Sequence, residues 1–103
     1  MAKMKTYELI LGLGDKKTRQ QKYSTIEAYK IVNNLICSRF GGGTIYENRG
    51  VYTYENGQIV VETSLRICLP FTNDEAVKVF ADNLKEMFDQ ETVIIQSLEV
   101  TNI

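Results

Sequence analysis

GGGTIYENRGVYTYENGQIVVETSLRICLP, residues 41–70, is the stretch that decides the fold. Two runs rich in β-branched and aromatic residues flank Asn56-Gly57. That dipeptide best tolerates φ > 0 at both centres of a two-residue type I′ turn, so the stretch is expected to be one long antiparallel hairpin. A turn at that point sets the register: Tyr54 opposite Ile59, Tyr52 opposite Val61, Gly50 opposite Thr63, Asn48 opposite Leu65 and Tyr46 opposite Ile67. Those residues share a face that is mostly large and apolar, expected to point inward. The other face then carries Val51 opposite Glu62, Arg49 opposite Ser64 and Glu47 opposite Arg66. Opposite charges paired across strands contribute about 0.2–1 kcal/mol each. Gly50 inside the first arm reads as a bulge or a close backbone approach. The second arm, 58–69, is β-branched and uninterrupted, the expected central strand, and Pro70, the only proline, stops it.

Upstream, residues 6–13 alternate, with Tyr7, Leu9, Leu11 and Leu13 on one face and Glu8, Ile10 and Gly12 on the other, a half-buried strand. A polar, basic loop follows at 16–22. Ser24-Thr25-Ile26-Glu27 is a capping-box start for a helix with Ile26, Tyr29, Val32, Ile36 and Phe40 as its apolar stripe, flanked by Ala28 and Leu35. Gly41-Gly42-Gly43 ends it. Downstream, Thr72-Asn73-Asp74-Glu75 repeats the capping logic for a second helix carrying Val77, Phe80, Leu84, Met87 and Phe88, and residues 92–100 form a last strand.

The order is strand, helix, strand, strand, helix, strand. Two right-handed strand–helix–strand units around an antiparallel pair give an α+β, ferredoxin-like β-α-β-β-α-β sandwich, with a four-stranded antiparallel sheet and two helices on one face. The second hairpin arm lies beside strand one in the middle. At 103 residues the chain, 1–103, is expected to be a single domain. The uncovered face would expose Ile10, Val51, Val60, Cys68 and Val93 or Ile95 among Glu62, Ser64 and Arg66. A patch of that kind points to a homodimer or higher homo-oligomer, which a monomeric mass in light scattering at micromolar concentration would exclude.

Net charge of −1 argues against nucleic-acid polymers and anionic membranes as partners. No apolar run approaches the roughly 18 residues of a membrane span. The start MAKMKTYELIL lacks a signal-peptide cleavage pattern, so a cytoplasmic location is expected. Cys37 and Cys68 sit in apolar contexts and read as buried thiols rather than a disulfide. With no histidine and no acidic cluster at ligand spacing, no metal site, no cofactor and no catalytic residue are assigned.

The candidate binding residues are Arg49, Glu62, Ser64, Arg66 and Tyr52. The register places the first four on one face, and two arginine forks beside a carboxylate and a hydroxyl match an anionic ligand. A solvated charge ladder is the plain alternative. Tyr46, Tyr52 and Tyr54 read as core, or as a stacking platform if they lie on the open face. Gly12-x-Gly14 beside Lys16, Lys17 and Arg19 offers a phosphate cradle in outline, without the further residues that a dinucleotide or P-loop motif needs.

The runs Phe40-Gly-Gly-Gly43-Thr44, Gly50-Val51-Tyr52 and Gly57-Gln-Ile-Val-Val-Glu62-Thr-Ser64 together resemble a small bacterial family of uncharacterised domains. Its pattern is F-x-x-G-x-T, then an aromatic just after a glycine, then G-x-I-x-x-E-x-S. The likeness covers about 30 residues, departing in the Gly43–Thr44 spacing and in Tyr52 where tryptophan is usual. The resemblance implies a ferredoxin-like fold, highlights Glu62 and Ser64, and supplies no activity. The favoured function is a non-enzymatic, oligomeric module holding an anionic or nucleotide-like small molecule at the open sheet face or a subunit interface. Two alternatives stand beside it. One is a phage or mobile-element inhibitor that sequesters a signalling nucleotide or binds a host protein. The other is a dimeric ferredoxin-like enzyme on a small substrate, with Glu62, Tyr52 or Tyr54 as acid or base.

Overall fold

The computed structural model describes residues 3–15, 20–53, 55–70 and 72–101. The elements follow as β1 (Lys3–Gly12), α1 (Thr25–Phe40), β2 (Thr44–Thr53), β3 (Ile59–Leu69), α2 (Asp74–Met87) and β4 (Ile94–Thr101). The strands form one antiparallel sheet in the order β2-β3-β1-β4, with β3 and β1 central as expected, and both helices cover one face. The architecture is the ferredoxin-like sandwich.

Alternation in the two central strands builds the core. Tyr7, Leu9 and Leu11 of β1 pair with Leu69, Ile67 and Leu65 of β3, and all six are buried. Val77, Phe80, Ala81 and Leu84 press on them from α2, with Phe88 just beyond it. Each large side chain so buried contributes roughly 1.5–3 kcal/mol. The Asn73 side chain caps α2 by accepting from the Ala76 amide at 2.9 Å, and the Tyr7 hydroxyl donates to the Asp74 carboxylate, tying β1 to the first turn of α2. The hydrogen bond to Asp74 pushes the Tyr7 phenol up to about 12.

In α1, Ser24 accepts from the Glu27 amide at 3.1 Å, as the capping box predicts. Its buried stripe is Ala28, Val32 and Ile36, however, with Ile31, Leu35 and Phe40 packed beside it. Ile26 and Tyr29, expected inward, are 69% and 45% exposed. Ala28, Val32 and Ile36 form an i, i+4 row along one side of the helix, and that row is the one the sheet covers. Cys37 is exposed and Cys68 half-buried, and both are free, so the expected burial of the thiols holds only partly for Cys68 and fails for Cys37.

The hairpin departs from expectation by one residue. Thr53 and Ile59 close the ladder with five residues between them, so Tyr52 faces Val60, Gly50 faces Glu62, Asn48 faces Ser64 and Tyr46 faces Arg66. Among the described residues Asp89 is the one non-glycine at positive φ, so Asn56 does not adopt the conformation a type I′ turn demands. Instead its side chain accepts from the Gln58 amide at 2.9 Å and, among the described loop residues, Gly57 alone turns left-handed, at φ 83°. Local Asx bonding thus goes with an odd-numbered loop that holds a left-handed glycine next to its last residue. Gly50 is no bulge, since the ladder runs through it unbroken. It is a close approach: a Cβ there would lie 2.9 Å from the Tyr52 hydroxyl.

A one-residue slip exchanges the faces of one strand. β3 keeps its expected sides, with Glu62, Ser64 and Arg66 on the open face. In β2 the even-numbered residues, Tyr46, Asn48 and Tyr52, join them there, while Arg49 and Val51 pair with Thr63 and Val61 on the opposite side. On β4 it is Ile94, opposite Ile10, that reaches the open face, rather than Val93 or Ile95. Tyr54 and the basic residues Lys16, Lys17 and Arg19 lie outside the described residues.

Candidate active site

A cavity of about 570 Å³ opens on the uncovered sheet face where β1 ends and β4 begins. Tyr52 and Thr53 border it from β2, Glu62, Thr63 and Ser64 from β3, and Ile10 and Gly12 from β1. Gln90 and Thr92 close it from the segment between α2 and β4, and Ile94 from the start of β4. The volume is that of a site for a small molecule.

Each side chain reaches the cavity for a local reason. Glu62 stands opposite Gly50, whose missing side chain leaves room for the Tyr52 ring to fold back. The Tyr52 hydroxyl is thereby brought over the position facing Glu62. Ser64 exchanges long hydrogen bonds of 3.5 Å with Asn48: its hydroxyl donates to the Asn48 carbonyl and accepts from the Asn48 amide. Among the described lining residues Glu62 is the one charged group, and it has no hydrogen bond or ion pair with another described residue. No lysine or arginine is among them.

The expected arginine grip therefore does not assemble. Arg49 lies on the other side of the sheet, opposite Thr63. Arg66 shares the open face with Glu62 and Ser64 but forms an ion pair with Glu8, which also accepts from the Tyr46 hydroxyl at 3.1 Å. Arg66 holds the Glu8 carboxyl below the usual carboxylate range, while burial and Glu8 push the Tyr46 phenol up. Desolvation likewise raises the neighbouring Cys68 thiol. Of the five candidate residues, Tyr52, Glu62 and Ser64 meet at one cavity, and the two arginines do not. Gly12 does belong to it, as a wall rather than as a phosphate cradle. Gln90 and Thr92 carry no signal in the sequence, being polar residues of a connecting segment. Ile10 and Ile94 are legible only once the register of β1 with β4 is known.

The chain is thus a ferredoxin-like sandwich with a cavity on its open sheet face. No family model and no curated protein sequence matches the chain. Solved structures do. A phage SAM lyase in complex with S-methyl-5′-thioadenosine is 25% identical, with a TM-score of 0.66 over 96% of this chain and 90% of that one. A phage SAM lyase in its apo state is 26% identical, with a TM-score of 0.70 over 94% of this chain and 81% of that one. The divalent ion tolerance protein CutA1 from Ehrlichia chaffeensis shares the fold at 19% identity and a TM-score of 0.60, over 100% of this chain and 87% of that one. The chain thus has a fold related to those of phage SAM lyase and CutA1. The expectation that it is more likely no enzyme is overturned by these two phage SAM lyase structures, which at 25% and 26% identity over nearly the whole chain are of an enzyme. Among the described residues no helix is long and apolar enough to cross a membrane.

Proposed function

We propose that the chain is a lyase acting on S-adenosylmethionine, releasing S-methyl-5′-thioadenosine from it in the open-face cavity. The observation that carries this reading is the charge of the pocket: one unpaired carboxylate, Glu62, and no cation among the described lining residues. S-adenosylmethionine brings a sulfonium and an ammonium to such a site, whereas the anionic ligand suggested by the arginines would meet only repulsion. The 25–26% identity to phage SAM lyase over nearly the whole chain supports the same substrate.

The chemistry asks little of the protein. Forming S-methyl-5′-thioadenosine breaks the bond between sulfur and Cγ of the methionyl chain, and the electron pair stays on sulfur. A lyase adds no water, so the electrophilic Cγ is taken by the substrate's own carboxylate, closing a five-membered lactone. The atoms balance without any proton transfer, and a chain that has no histidine can carry out this step. Positive sulfur and negative carboxylate are discharged together, so the transition state is less charged than the substrate and gains from exclusion of water. A carboxylate held against the sulfonium would stabilise the substrate instead. Glu62 is therefore assigned to the α-ammonium, where it would orient the reacting carboxylate toward Cγ, the form of catalysis that comes from positioning alone. Tyr52, beside it, packs against the methionyl chain.

Release of S-methyl-5′-thioadenosine from S-adenosylmethionine tests the assignment. Glu62→Gln should lower kcat/KM at least about 100-fold, the scale of a lost positioning contact. Arg49→Ala, on the far side of the sheet, should leave it within twofold of the parent. Equal activity of parent and Glu62→Gln would refute the site.

A further inference from the structure

Gln90 is held more firmly than a connecting residue needs to be. Asp89 turns the chain at φ 52° after α2, and the Gln90 backbone N–H returns to the Lys85 carbonyl at 2.9 Å. Its side-chain Nε2 donates to the Gly14 carbonyl at 3.1 Å and to the Phe88 carbonyl at 3.2 Å. Two carbonyl partners use both hydrogens of the amide and leave no doubt which terminal atom is nitrogen. The other atom, Oε1, lies where a side chain on residue 12 would begin, 3.0 Å from the position a Cβ would take, and Gly12 leaves that space open. Both residues line the cavity, and Oε1 accepts no hydrogen bond from another described residue.

We infer that Gln90 is a specificity-determining residue whose Oε1, fixed in place by Gly14, Phe88 and the open space at Gly12, accepts a hydrogen bond from the exocyclic amino group of an adenine base. The inference rests on reading the cavity as the site of an adenosyl compound. Ile10 and Ile94 pair directly across β1 and β4 beside Gln90, an apolar floor for a flat ring. Glu62 stands across β3 toward Tyr52, at the side left for the charged methionyl end. With both amide hydrogens committed, Gln90 can only accept. It matches the 6-amino group of adenine and opposes the 6-carbonyl of hypoxanthine, lone pair against lone pair.

Titration calorimetry of the full chain with S-methyl-5′-thioadenosine and with S-methyl-5′-thioinosine tests this. The parent protein should prefer the adenosine compound about tenfold, the size of one hydrogen bond gained or opposed. Gln90→Leu should erase the preference. Gly12→Ala keeps Gln90 but crowds Oε1, should also reduce the preference, and decides the matter if Gln90→Leu does not fold. Parent binding without preference, or a preference that survives both substitutions, would overturn the role of Gln90 while leaving the lyase reading intact. Equal loss of affinity for both nucleosides in Gln90→Leu would place the contact on the sugar and overturn the assignment to the base. Failure of the parent to bind either nucleoside would remove the lyase reading, and this inference with it.

Discussion

Glu8 accepts from Arg66 and from the Tyr46 hydroxyl in the middle of the open sheet face, so three strands meet at one carboxylate. The arrangement accounts for an arginine that looks like a ligand grip in the sequence and pairs within the sheet instead. Its guanidinium is committed to Glu8, four residues along β3 from the carboxylate that borders the cavity. It also has a consequence for stability. Arg66 lowers the Glu8 carboxyl in the folded chain below its ordinary value of 4.5. A carboxylate lowered by folding stabilises the native state above its unfolded value, and that contribution is lost as pH falls through the folded one. The stability difference between parent and Glu8→Gln, measured by urea unfolding, should be constant near neutrality and shrink as pH drops below about 4.5. A difference that stays level to pH 3 would show that the pair does not bias folding.

The hairpin shows how an element can be placed correctly and yet be turned over. Gly57 turns left-handed in the loop, at φ 83°, and any side chain there is strained. Gly57→Ala should cost about 1–2 kcal/mol in denaturant unfolding, the penalty of the left-handed conformation for an L-residue with a Cβ. Gly57→Asn should cost less, because asparagine tolerates that conformation. Equal stability of Gly57→Ala and the parent would contradict the observed loop. The sides of β3 are legible in the sequence because Leu65, Ile67 and Leu69 leave one inward choice. β2 offers no such asymmetry. Its tyrosines have an apolar body and a polar tip, and residues as different as Ile45 and Arg49 share the alternate side, so either register is plausible. The Asn56 side chain, bonding to the Gln58 amide, settles it, and that choice is invisible in the dipeptide alone. The stripe of α1 is ambiguous in the same way, with apolar residues on two faces and only the sheet to select Ala28, Val32 and Ile36.

At the scale of the molecule, the element order and crossover rules make the sheet order β2-β3-β1-β4 readable from the sequence, whereas of the cavity only the hairpin side, Tyr52, Glu62 and Ser64, is. Its walls come from all four strands and from the segment after α2, and Gly12, Gln90 and the hairpin residues Tyr52 and Glu62 lie far apart in the chain. Such a site leaves no contiguous motif. The lack of histidine, which points away from catalysis on general grounds, fits a reaction in which the substrate supplies its own nucleophile and no proton moves. That claim is tested most directly by proton NMR of S-adenosylmethionine incubated with the purified chain. Equal amounts of S-methyl-5′-thioadenosine and homoserine lactone should appear, faster than in the protein-free control. Substrate consumed no faster than in that control, or homoserine formed without passing through the lactone, would contradict it.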